Sequence, residues 1–194
     1  MVLAASNSTE DAGFTLIEVL IAMLLLAIVS LGIAGMFGTA IRATQGARSQ
    51  TSTSALAEQK LEQLRALTWG YDSAGQNLPV TDTTTDLSVD PPANGGEGLN
   101  PSPATSLDSN TVGYVDYLDA NGRWVGTLAT PPATAKFIRR WSIQPLPTNP
   151  NNTLVLQVLV TTVVREAGVQ TGGGTRQRFP DDALVATVKT RKGH

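Results

Sequence analysis

From Val19 to Phe37 the chain carries no charged residue: VLIAMLLLAIVSLGIAGMF. With Phe14–Glu18 in front, the segment is 24 residues long. As a helix it spans about 36 Å, enough to cross a hydrocarbon core of about 30 Å. A core helix of a soluble domain keeps a polar stripe, whereas this one is apolar around its whole circumference. A cleaved signal peptide needs a basic start, a short apolar run and a small-x-small site behind it. Residues 1–13 hold Glu10 and Asp11 and no base, and the apolar run is too long. A membrane-spanning helix over 14–37, retained after a leader at 1–13, is expected.

One charge breaks the rule. Glu18 lies inside the segment, and an ionisable group at membrane depth points to function by default. A helix-start glutamate favoured by the macrodipole and reaching to water is the plainer alternative.

Composition removes much of enzymology. There is no cysteine, and the single histidine is His194. Disulfides, zinc–cysteine sites, thiol nucleophiles and Ser-His-Asp catalysis are therefore excluded. No catalytic residue, cofactor or metal is expected, and the chain is not read as an enzyme. The net charge is −2, but it is unevenly spread. Residues 71–122 carry eight acids and no base, while 123–194 carry ten bases and three acids. Such blocks attract each other or a partner. Nucleic acid is not expected, because the whole is acidic and the bases are dispersed.

Gly13-Phe14-Thr15-Leu16-Ile17-Glu18-Val19-Leu20-Ile21-Ala22 resembles the cleavage and methylation motif of type IV prepilins and type II secretion pseudopilins. The resemblance implies cleavage by prepilin peptidase between Gly13 and Phe14 and N-methylation of Phe14. It implies that Glu18 pairs with the terminal amine of a neighbouring subunit. Physically, an ammonium and a carboxylate in an apolar filament core each need a partner, and pairing them fixes the stagger between subunits. Family leaders are usually basic; this one is acidic, and Arg42 and Arg48 follow the span.

Residues 38–68 read as a continuation of the helix, free of proline and rich in Ala, Gln, Leu, Glu and Arg. Leu56, Leu61, Leu64 and Leu67 form an amphipathic stripe, and Glu62 and Arg65 are spaced to pair. Ala55–Arg65 resembles the same helix in PilV-type minor pilins and minor pseudopilins. Gly32, Gly35, Gly38 and Gly46 weaken the helix; close packing between membrane helices is the preferred reason, local melting on assembly the other.

Trp69-Gly70 is expected to end the helix. The segment 72–110 reads as a long loop. Strands are expected at Thr111–Leu118 and Arg123–Ala129 around Asn121-Gly122, then at Lys136–Leu146, Thr153–Arg165 and Ala183–Arg191, with turns at Asn149–Asn152 and Gly172–Gly174. Asp116, Asp119 and Asn121 read as hairpin chemistry rather than a calcium site. Arg139-Arg140 reads as a solvated strand edge beside a buried Trp141, and Lys189, Arg191 and Lys192 as a solvated tail. The fold class is α+β: a long N-terminal helix, half transmembrane and half amphipathic, packed on a C-terminal antiparallel sheet head over 69–194, which the resemblance makes pilin-like.

The expected function is a PilV-like minor pilin of a type IV pilus. A type II secretion minor pseudopilin and a filament-tip adhesin or DNA-uptake pilin are the alternatives. The implied partners are other pilin subunits, the prepilin peptidase and N-methyltransferase, an inner-membrane assembly platform and membrane lipid. The implied location is the inner membrane, single-pass with the head in the periplasm, and then the filament.

Overall fold

In the computed structural model a single helix, α1, runs over Leu16–Ala66. The structure describes residues 14–72, 74, 76, 78–171 and 178–192. The expected leader 1–13 with Gly13, the turn expected at Gly172–Gly174, and His194 lie outside the described residues. The chain divides into two compact units, one ending at Gln45 and one beginning at Gly46.

In the first unit the apolar side chains from Phe14 to Ile41 are exposed. α1 is long and apolar enough to cross a membrane. A Cβ built on Gly32, Gly35, Gly38 or Gly46 meets nothing within 4 Å.

In the second unit the rest of α1 buries Thr53, Ala57, Lys60, Leu61 and Leu64, a spacing that returns to one helical face. Leu56 and Leu67 of the expected stripe pack at its margins. Glu62 and Arg65 pair at 2.8 Å. The helix ends at Ala66, earlier than expected, because Trp69–Tyr71 is already a strand, β1, paired with β2 (Pro79–Thr81). The segment read as a loop thus holds β2 and a small hairpin of β3 (Thr85–Asp86) and β4 (Ala93–Asn94).

The main sheet follows: β5 (Val115–Leu118), β6 (Trp124–Gly126), β7 (Phe137–Pro145), β8 (Thr153–Thr162) and β9 (Ala183–Thr190). It is antiparallel, in the order β6-β5-β7-β8-β9. Alternation along the strands sends Leu118, Phe137, Trp141, Ile143, Leu154, Leu156, Val158 and Val160 into one core with Ala57, Leu61 and Leu64 of α1. Val115, Tyr117 and Ile138 form a smaller core on the opposite face. Where β5 stops, Ser102 takes over the free edge of β7. Its N–H donates to Ile143 O at 2.9 Å, and Ile143 N–H donates to Ser102 Oγ at 3.0 Å. The architecture is α+β, as the sequence indicates.

The β5–β6 turn follows the expected chemistry. Asp119 Oδ1 accepts from Asn121 N–H at 2.8 Å and Arg123 N–H at 2.9 Å, and Gly122 adopts φ 76°. Three expectations are corrected. The strand expected over Thr153–Arg165 ends at Thr162 and turns into α2 (Val163–Thr171), which delivers Glu166 to Arg140 at 2.8 Å. Arg139 and Arg140 lie on the central strand β7 and are buried, not solvated. Of the expected tail, Lys189 donates to Arg65 O, and Arg191 stacks on Trp69 at 3.9 Å.

Candidate functional site

Thr15 and Glu18 build the start of α1. Thr15 precedes the first helical residue, Leu16, and Glu18 is the third residue of the helix. Four backbone N–H groups have no helical partner there. Glu18 N–H donates to Thr15 Oγ1 at 3.3 Å, while Thr15 N–H and Oγ1 donate to Glu18 Oε2 at 3.1 and 3.0 Å. This is a reciprocal capping box, and the spacing Thr-x-x-Glu announces it in the sequence. Both Thr15 bonds fall on Oε2; among the described residues no protein group bonds Oε1. Phe14 is 86% exposed beside this cap, and with Glu18, Val19, Ala22, Met23 and Leu26 it borders a shallow apolar groove. A carboxylate oxygen with an open hydrogen-bonding side, set at the end of an apolar face, can take a cation from another molecule. Gly13, the other residue named by the motif, lies outside the described residues.

A second cluster holds α1 on the sheet. Asp116 and Arg139 are register partners across β5 and β7. Arg139 Nε and Nη2 grip the two Asp116 oxygens at 2.8 Å each. Lys60 comes down from α1 onto Asp116 Oδ2 at 2.8 Å and lies 4.6 Å from the Trp141 ring centroid. Arg139 also donates to Gln59 Oε1 at 3.2 Å. Burial pushes the Lys60 ammonium down to about 8; Asp116 opposes that fall and Arg139 adds to it. Asp116 is thus no part of the hairpin turn. It is the one carboxylate between two buried cations, so α1 and the sheet are joined by charge as well as by apolar contact. Hydropathy alone conceals these residues. The signal was periodic: Lys60 shares the helical face of Ala57 and Leu64, and Arg139 shares the strand face of Phe137, Trp141 and Ile143.

Among the described residues no group of three or more His, Cys, Asp or Glu is placed to hold a metal ion.

Residues 10–34 match the family model described as the prokaryotic N-terminal methylation motif. No curated protein and no solved structure matches the chain. The motif implies processing by prepilin peptidase and assembly with other pilins, and members of that family are structural subunits. The match covers the cap and most of the apolar segment. The motif leads into the long helix, and the C-terminal part of that helix packs on an antiparallel sheet, so a prepilin-type N-terminal motif is joined to a pilin-like α+β architecture.

Proposed function

We propose that the protein is a minor pilin of the PilV type, a structural subunit anchored in the inner membrane by residues 14–37 with its sheet head in the periplasm. Prepilin peptidase cuts between Gly13 and Phe14, and the new Phe14 terminus is methylated. The carboxylate of Glu18 then receives the terminal ammonium of an adjoining subunit in the filament. One observation carries this reading: the methylation motif at residues 10–34 runs directly into a capped apolar helix whose Glu18 keeps one oxygen open.

Assembly follows from the two desolvation costs. In an apolar filament core an isolated ammonium and an isolated carboxylate are each strongly unfavourable, so subunits settle in the stagger that joins them. The remaining apolar face gives contact without direction.

The test is mass spectrometry of the mature N-terminus in cells with and without prepilin peptidase. A chain beginning at methylated Phe14 only when the peptidase is present is expected. Recovery of residues 1–13 in both strains overturns the reading.

A further inference from the structure

A cleft of about 570 Å³ opens in the unit that begins at Gly46. That volume falls within the range of small-molecule sites. Trp69, Tyr71 and Arg191 line it together with Asn151, Asn152 and four prolines. Much of its wall comes from residues 69–101, in the most acidic part of the chain. Yet none of the described residues that line it is Asp or Glu. Its single charged side chain is Arg191.

Arg191 stands out electrostatically. Its guanidinium lies 3.9 Å from the Trp69 ring centroid and 5.3 Å from that of Tyr71. Its Nε and Nη1 are shut off from solvent and have no hydrogen-bond partner among the described residues, and Trp69 Nε1 is in the same condition. The guanidinium is therefore partly stripped of water, held close to two aromatic rings and, among the described residues, given no carboxylate. Pairing such a cation with an anion in the cleft costs little further desolvation and little side-chain entropy.

The rest of the lining separates a sugar from a peptide. β1 offers a peptide strand no free edge, because it is bonded on one side to β2 and on the other bridges to Lys192. Asparagine amides both donate and accept, which suits hydroxyl groups that do the same. Aromatic and proline surfaces offer apolar contact to the C–H faces of a ring. We infer that this cleft binds a saccharide bearing a carboxylate, with Arg191 taking the carboxylate and Asn151 and Asn152 the hydroxyls. The inference stands on the head alone, and its failure leaves the filament reading untouched.

Isothermal titration of the detergent-solubilised full chain tests it, with trigalacturonic acid, maltotriose and a triglutamate peptide as probes. Trigalacturonic acid is expected to bind saturably and at least about tenfold more tightly than either other probe. Arg191→Gln is expected to remove that preference, with circular dichroism reporting its fold. Asn151 is exposed, so Asn151→Asp tests the same point without touching the Trp69 and Tyr71 rings; it is expected to weaken trigalacturonic acid at least about tenfold more than it weakens maltotriose. No binding, equal binding of the neutral sugar, or an unaffected Asn151→Asp variant overturns the inference. Equally tight binding of triglutamate overturns it too, by assigning the cleft to peptide carboxylates.

Discussion

Asp116 is the residue on which the joint between α1 and the sheet turns. It is 0% exposed and faces two cations, Lys60 and Arg139. Its replacement by asparagine keeps the shape and leaves both cations without a counter-charge. Asp116→Asn is expected to lose about 3–5 kcal/mol of unfolding free energy, read by urea denaturation of the solubilised chain. A loss below about 1 kcal/mol refutes the role. Lys60 adds a pH dependence. It titrates at about 8 in the fold against 10.5 for an ordinary lysine. Between those values the unfolded chain holds a proton that the folded chain has released, so stability rises with pH across that window. Below it both states are protonated and the cost of burying the charge is fully present. The stability of the native chain relative to Lys60→Met should therefore increase from pH 8 to 10.5. A constant difference contradicts the shift.

At the scale of elements, α1 does two unlike things along one continuous helix. Its C-terminal half places one face on the sheet, while the described apolar side chains of its N-terminal half are exposed. The glycines of the N-terminal half are informative for that reason. A Cβ at Gly35 meets open space, and alanine favours helix over glycine by about 1 kcal/mol. Gly35→Ala is expected to leave the isolated protein folded and to make its helix more protected in hydrogen exchange. If the same variant enters filaments poorly, the space at Gly35 is filled by a neighbouring helix. If it enters normally, close packing at that position is excluded. The strand β7 shows the complementary logic. It carries Arg139 on one face and Arg140 on the other, and each is neutralised by a carboxylate from another element, Asp116 on β5 and Glu166 on α2.

At the scale of the whole molecule the question is how copies associate. Glu18→Ala removes the open oxygen together with half of the capping box. The proposed cleavage at Gly13–Phe14 should continue, since that bond precedes the helix in the sequence, while incorporation into the proposed filament should fall sharply. Comparing filament and membrane fractions by immunoblot checks both at once; undiminished incorporation removes the ion-pair role. Thr15→Val separates the two losses, because it breaks the cap and keeps the carboxylate. Its incorporation should stay near that of the unchanged chain.

The sequence determined the local and periodic features. The methylation motif, the uninterrupted apolar run, the leucine stripe over 56–67, the Asn121-Gly122 hairpin and the approximate positions of the five main-sheet strands follow from neighbours a few residues apart. The tertiary structure decided which charges are buried. Arg139-Arg140 and Asp116 read as surface groups because an isolated chain always offers them water. They are interior because a five-stranded order puts β7 in the middle and brings a partner from a distant segment to each. The same holds for Arg191, whose approach to the Trp69 and Tyr71 rings joins residues more than a hundred positions apart. Hydropathy reports the cost of removing a group from water, and only the folded chain shows what is waiting to offset it.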